Sequence, residues 1–237
     1  MIDFHSHILP GIDDGPETVE ESVAMAAALR QDGFQTIYCT PHLIKGCFEA
    51  DKQAVLSAVS AMQARLNKEN IGMEILPGRE YYLDEFLESY LQDPLPLGKT
   101  QYIMIEIPNN ATAEHVKEAC FRIKCGGFTP MIAHPERCRL FVMPRKQILS
   151  RFRFSGPEHK TENSKTEDDA LVDYLKEIGC AFQGNLGSFN EYYGPEVKHT
   201  AEDLKKKEVF THFGTDAHSL RAIHRLNLSS AGEYIAK

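Results

Sequence analysis

Met1-Ile2-Asp3-Phe4-His5-Ser6-His7 opens the chain and reads as a short strand that ends on two imidazoles. Strand side chains alternate between faces, so Ile2 and Phe4 are expected on one side and Asp3, His5 and His7 on the other. Two imidazoles at i and i+2 can then grip one metal ion. Taken alone this spacing is weak, because a His-x-His occurs by chance. Its weight depends on what the rest of the chain places at equivalent positions.

Beyond this stretch, short apolar strands alternate with amphipathic helices. Thr18-Val19-Glu20-Glu21 forms a capping box that starts a helix, and Gly33 closes it. Strands are predicted over Thr36 to Thr40, Glu74 to Leu76, Tyr102 to Ile107, Thr129 to Ala133, Ala181 to Asn185 and Val209 to Phe213. Helices are predicted over about Asp51 to Glu69, Thr112 to Gly126, Ala170 to Ile178 and Glu196 to Lys207. About seven such units predict a parallel sheet, either open and doubly wound or closed into a barrel. The polar residues favour closure. His5, His42, Glu80, Glu106, His134 and Asp216 all fall at or just past the C-terminal ends of strands. A barrel gathers those ends at one mouth, where barrel enzymes keep their chemistry, whereas an open sheet spreads them along an edge. The expected architecture is therefore α/β, a distorted (β/α)7 barrel forming one domain over residues 1–237. The polar stretch Arg151 to Asp169 breaks the rhythm and reads as an exposed, mobile insertion.

Composition narrows the function classes. The 237 residues are 42% hydrophobic and 25% charged, as in an ordinary globular protein. A formal net charge of -8 argues against a general nucleic-acid binder. No stretch is long and apolar enough to span a membrane, and no basic, apolar leader opens the sequence. Six cysteines contain no C-x-x-C pair, which suits reduced thiols and an expected cytoplasmic location. The sequence sets no oligomeric state.

The remaining motifs add ligand-type side chains. Pro10-Gly11-Ile12-Asp13-Asp14-Gly15 is a tight turn that can present a carboxylate. Thr40-Pro41-His42, Gly78-Arg79-Glu80, Ala133-His134-Pro135-Glu136-Arg137 and Gly214-Thr215-Asp216-Ala217-His218 each end or follow a strand. Mixed imidazole and carboxylate donors suit manganese, iron or zinc. They outnumber the three or four protein ligands that one catalytic zinc uses, so two or three ions sharing a bridging carboxylate are expected.

These motifs resemble the polymerase-and-histidinol-phosphatase superfamily. Within it, the opening residues through Pro16, with Glu20-Glu21-Ser22-Val23-Ala24-Met25-Ala26, resemble the bacterial manganese-dependent protein tyrosine phosphatases of capsule and exopolysaccharide systems. The likeness runs over nearly the whole chain and thins between about Val142 and Asp169. It implies three divalent transition-metal ions, manganese first, with iron or zinc as alternatives. His5, His7, Glu80 and Asp216 would hold the first ion. Glu80 would bridge to a second, with Glu106 and His134, and Asp14, His42 and His218 would hold the third. Arg137 would meet the substrate phosphate, joined by Arg221 or, failing that, Arg225. The implied partner is the phosphotyrosine tail of a bacterial tyrosine autokinase, with no nucleic acid and no direct membrane insertion.

Rival chemistries have less support. Thiol phosphatases need Cys and Arg separated by five residues, and none of the six cysteines has an arginine there. Gly98-Lys99-Thr100 mimics the end of a P-loop, but Asp93 stands where the first glycine is required. Three alternatives remain: a histidinol-phosphate or other small-molecule phosphatase, a nuclease-like member of the superfamily, which the acidic balance disfavours, and a non-catalytic module that binds phosphotyrosine.

Overall fold

The computed structural model describes residues 1–142, 167–226, 228 and 234. Among them, every paired strand of the sheets runs parallel to its neighbour. One sheet contains β1 (Ile2–Ser6), β2 (Thr36–Cys39) and β4 (Glu74–Pro77). The other runs in the order β3 (His42–Leu43), β5 (Glu80–Tyr82), β6 (Tyr102–Glu106), β7 (Thr129–Ala133), β8 (Ala181–Asn185) and β9 (His212–Gly214). The two sheets are parts of one wall. β2 leads into β3 across Thr40-Pro41, and β4 into β5 across Gly78-Arg79. The Glu80 N–H donates to the Pro41 carbonyl at 3.1 Å, which carries the pairing over the interruption.

The last strand returns to the first. Ser6 bridges Ala217 in parallel, Asp216 N–H donates to the His5 carbonyl at 2.7 Å, and His7 N–H donates to the Ala217 carbonyl at 3.1 Å. The buried Asp3 carboxylate locks this seam, accepting from the Thr215 N–H at 2.9 Å and its hydroxyl at 2.6 Å. With the two interrupted strands each counted as one stave, the wall is the distorted seven-stave barrel expected from the sequence.

Helices cover the outside. α1 (Val19–Gln31) starts on the reciprocal Thr18–Glu21 capping box, and α2 (Lys52–Lys68) on Asp51, whose side chain accepts from Ala54 N–H. Both bury an apolar stripe, including Met25, Leu29, Val55 and Leu66, against Ile37 and Ile75 of the sheet. On the far side, α4 (Ala113–Cys125), α5 (Glu167–Glu177) and α6 (Pro195–Lys206) pack against Ile103, Ile105, Ile132 and Phe182. The inner face is filled by Phe4, Tyr38, Leu76, Met104, Met131 and Ala181. Burial on both faces explains why most of these strands are apolar runs rather than alternating ones.

Three expectations need correction. First, β1 does not alternate strictly. Asp3 pairs with Ile37 but Ser6 with Cys39, so the register shifts between them. Phe4 packs on His212, while His5 bonds Gln183, the ladder partner of His212. The adjacent residues Phe4 and His5 therefore both reach the inner face, an effect of the β-bulge. Second, the last strand starts at His212 rather than Val209. Val209 belongs to the outer core, after a left-handed turn at Glu208 with φ of 52°. Third, α3 (Leu87–Tyr90) and α7 (Leu220–Leu226) were not anticipated. Of the expected insertion Arg151 to Asp169, residues 151–166 lie outside the described residues, and 167–169 begin α5.

Gly214 measures how tightly the barrel closes. A Cβ there would lie 2.6 Å from the His5 Cβ and 2.7 Å from its nitrogen, both within the neighbouring stave. Gly214→Ala should therefore lower folding stability by about 2 kcal/mol, the usual scale for overpacking. Denaturant unfolding measures this directly, and an unchanged midpoint would contradict the tight seam.

Candidate metal centre

The seam brings the first and last strands' ligand-type residues face to face. His5 and His7 leave β1, Asp216 and His218 follow β9, and His42, Glu80, Glu106 and His134 close the staves between them. Their donor atoms form four overlapping groups that could each hold an ion. These are His5, His7 and Asp216; His5, Glu80 and His134; His42, Glu80 and Glu106; and His7, Asp14, His42 and His218. Within each group the atoms lie within 4.8 Å of one another. The groups differ from the expected division: Glu80 stands with His5 and His134 rather than with His7 and Asp216, Glu106 groups with His42 and Glu80 rather than with His134, and His7 also reaches the set built on Asp14, His42 and His218.

Glu80 is the hub. It is fully buried, with Oε2 at 3.0 Å from His5 Nε2, 3.2 Å from His7 Nε2 and 3.2 Å from His42 Nδ1. Its Oε1 lies 3.0 Å from His134 Nε2. The two oxygens thus point to different groups, as a bridging carboxylate must. Asp216 is divided in the same way. Its Oδ2 accepts from Arg137 and from the Asn185 amide at 3.1 Å. Its Oδ1 is 3.4 Å from both His5 and His7.

The imidazoles are oriented from behind. His5 Nδ1–H donates to Gln183 Oε1 at 2.8 Å, His7 Nδ1–H to Asp13 Oδ2 at 2.6 Å, and His218 Nδ1–H to the Asp216 carbonyl at 2.9 Å. An oxygen can only accept, so each bond puts a proton on Nδ1 and makes Nε2 the nitrogen that can take a metal once its own proton is lost. Asp13 also accepts from the His42 N–H at 3.0 Å, and Gln183 from the His134 N–H at 3.2 Å. Two of the ligand-type residues themselves sit in left-handed backbone, His134 at φ 29° and Asp216 at φ 52°. Such conformations in residues with a Cβ cost about 1–3 kcal/mol and persist where the surroundings enforce them.

Asp13, Gln183, Asn185 and Tyr193 were not assigned from the sequence. Asp13 was visible beside Asp14, but its role depends on His7 lying opposite. Gln183 and Asn185 carry a local signal, being two polar residues at alternating positions of a buried strand. Tyr193 carries none.

Electrostatics suit a cation. The structure carries no ion, and the donor set fits one. His42 Nδ1 is buried without a hydrogen-bond partner, and the Nε2 atoms of His5 and His7 face each other at 3.1 Å. Burial opposes a charged His5, but Glu80 and Asp216 outweigh it and push its pKa up to about 9. His7 is also raised well above the usual imidazole range, against burial, by Asp13, Asp216 and Glu80. Burial alone would raise Glu80, yet His5 and His134 hold it well below the usual range. Glu106 is different: burial and the nearby Glu80 push it up to about 7. Its oxygens stand 3.9 Å from His42 and from His134, the longest reach in the set.

An open pocket of about 360 Å3 leads to this cluster, walled by Asp14, His42, Glu106, His134, Arg137 and Tyr193 among others. Arg137 lies flat under the Tyr193 ring, 4.5 Å from its centroid. Its Nε and Nη2 have no protein partner among the described residues. Arg221 is exposed on α7 and does not line this pocket, while Arg225 lies over Tyr192, which does.

Two outcomes should follow. Protons compete with metal at His5 and His7, whose pKa values are raised, so apparent metal affinity should climb as pH rises from 6 through about 9. Calorimetry in buffers of different ionisation enthalpy would register the released protons, and a pH-independent affinity would contradict the charged network. Asp13→Ala should weaken metal binding by about 10–100-fold, the usual effect of removing a ligand's orienting partner. Unchanged affinity would mean that Asp13 does not orient His7.

Residues 1–150 match the family described as capsular polysaccharide synthesis, CpsB/CapC. Tyrosine-protein phosphatase YwqE of Bacillus subtilis (strain 168) is 30% identical over 223 residues, which are 93% of this chain and 78% of that protein. A tyrosine-protein phosphatase CpsB of Streptococcus agalactiae is 33% identical over 150 residues, 62% of either chain. A crystal structure from work on B. subtilis YwqE and Streptococcus pneumoniae CpsB, described as metal-dependent tyrosine phosphatases, matches with a TM-score of 0.80 at 29% identity. That match covers 98% of this chain and 85% of the other. A histidinol phosphate phosphatase from Lactococcus lactis, with a TM-score of 0.53 at 16% identity, shares the fold. With the family model matched over residues 1–150 and a relative 30% identical over 93% of the chain, the chain belongs to the CpsB/CapC family of capsular polysaccharide synthesis proteins.

Proposed function

We propose that this chain is a metal-dependent protein tyrosine phosphatase that hydrolyses phosphotyrosine, acting on the tail of a bacterial tyrosine autokinase that controls capsule or exopolysaccharide synthesis. One observation carries the reading: an arginine whose Nε and Nη2 are unbonded among the described residues lines a mouth with four overlapping ligand groups, two of which share Glu80. The reading assigns three divalent ions, manganese first, to His5, His7, Glu80 and Asp216; to Glu80, Glu106 and His134; and to Asp14, His42 and His218. A cytoplasmic location goes with it, since all six cysteines are free.

The residues divide the work. Ions held in the cluster would supply the Lewis acidity that lowers a water's pKa and neutralises phosphate oxygens during in-line displacement. Glu80 and Asp216 hold the opposing charges in fixed places, so little reorganisation accompanies the reaction. Arg137 is pinned to Asp216 through Nη1 and can present Nε and Nη2 to two phosphate oxygens, a fork that lysine cannot reproduce. Tyr193, stacked on the guanidinium, keeps that fork facing the pocket. Tyrosine leaves as a phenolate of pKa ~10, a tolerable leaving group beside a cation.

Manganese-supplemented protein should hydrolyse phosphotyrosine peptides far faster than histidinol phosphate, and a chelator should abolish the activity. Preference for histidinol phosphate would overturn the assignment, and peptide binding without turnover would favour a recognition module. Arg137→Lys should lose about 100-fold in kcat/KM, the scale of one preorganised donor. Metal analysis on the same preparation separates this from an indirect effect through Asp216. A wild-type rate would leave Arg137 a purely structural partner of Asp216.

A further inference from the structure

Beside the metal pocket lies a second, larger hollow of about 810 Å3. One wall is the segment 82–92, which includes α3, and the other is the segment 108–126, which includes α4. Its floor is apolar: Leu87, Ala111 and Ala119 are buried there. Tyr82 connects the two hollows. It lines the larger one and pairs in register with Glu106, which lines the metal pocket. The Leu83 N–H donates to the Glu106 carbonyl at 3.0 Å, so the two openings are joined by continuous sheet.

The charges in this hollow are unbalanced at one end. Arg122 reaches across it, bonding Glu88 of one wall at 2.5 Å and Glu118 of the other at 2.8 Å. Those two carboxylates thus share one cation. Asp84 and Glu85, at the end nearest Tyr82, have no cationic partner among the described residues. Asp84 is bonded by local backbone, the Phe86 N–H at 2.8 Å and the Leu87 N–H. An apolar trough with an uncompensated acidic pair beside the metal pocket is the complement of an extended chain that carries a cation.

We propose that this hollow receives the part of the phosphoprotein substrate that flanks its phosphotyrosine, and that Asp84 and Glu85 select a lysine or arginine there. The inference rests on the tyrosine-phosphatase reading and deepens it. A phosphate held at the metal pocket fixes one point of the substrate, and the chain leaving it crosses Tyr82 into the trough. Apolar side chains settle on Leu87 and Ala119 while the basic one meets the acidic pair. An acidic flank is repelled there, and the net charge of -8 adds to the repulsion. A small aryl phosphate fills the metal pocket alone and does not reach the trough.

Two phosphotyrosine peptides that differ only in the residues beside the phosphotyrosine, lysines in one and glutamates in the other, provide the test. The manganese-loaded protein should show a higher kcat/KM for the lysine peptide, mainly through KM, and the gap should shrink with added salt. The double variant Asp84→Asn, Glu85→Lys should lose about five- to tenfold on the lysine peptide, as two rim charges of up to ~1 kcal/mol each allow. Its rate on p-nitrophenyl phosphate should not change. Asparagine still accepts the Phe86 bond and Glu85 is exposed, so the variant should fold. Equal rates on the two peptides, or a preference that survives the double substitution, would overturn the groove while leaving the phosphatase reading intact. Failure to hydrolyse either peptide, with small phosphate esters still turned over, would overturn that reading and this inference with it.

Discussion

The hydrogen bond from the Asp216 N–H to the His5 carbonyl, 2.7 Å long, is the contact on which the rest depends. It joins the first strand to the turn after the last, which makes the wall a barrel rather than an open sheet. In the same step it sets an imidazole and a carboxylate from opposite ends of the chain beside each other. Its surroundings leave little slack. Asp3 clamps Thr215 from one side, Gly214 leaves no room for a side chain, and Asp216 adopts left-handed backbone to make the bond. The chain accepts local strain there because the seam closes a core that buries apolar residues on both faces.

Closure creates an electrostatic problem that the polar residues around the mouth resolve. Glu80, Asp216, His5, His7 and His134 are all buried, and an isolated charge in such a place is costly. Each is therefore tied to an opposite or an acceptor: Glu80 to four imidazoles, Asp216 to Arg137 and Asn185, His7 to Asp13, and His5 to Gln183. The outcome is a set of lone pairs aimed at common points, with their backs already bonded. A cation entering there would displace protons from the Nε2 atoms while the bonds behind the rings stay in place. The same network reaches the pocket, because the arginine that neutralises Asp216 also lines it.

The two hollows divide recognition in the same physical terms. The metal pocket is small, polar and charged, suited to a phosphate group and little more. The neighbouring trough is larger and floored with apolar side chains, with its free negative charge gathered at the shared end. The helices α3 and α4, which form part of its walls, are linked across the opening by the Arg122–Glu88 pair.

Most of the architecture was legible in the sequence because it depends on short-range physics. Strand β7 and strand β8 were placed to the residue, since each is an apolar run bounded by turn signals. Helix starts followed from side chains three residues from the N–H they cap, at Thr18, Asp51 and Thr112. The ligand-type residues could be named because each sits in a compact strand-end motif, and those motifs carried the family as well. What joins distant parts of the chain was decided only by the tertiary structure. Gln183 orients His5 across 178 residues, and Asn185 holds Asp216 across 31. The bulge that turns His5 inward beside Phe4 comes from the pairing of β1 with β2, and α3 and the hollow beside it come from packing against β6 and α4. Arg221 shows the same limit, since its spacing after Asp216 could not say whether its side chain would stand exposed on α7 beside the pocket-lining Ser219 and Ala222. Periodicity and capping act within a few residues of one chain segment, whereas the orientation of a ligand depends on a partner that only closure of the barrel brings within hydrogen-bonding distance.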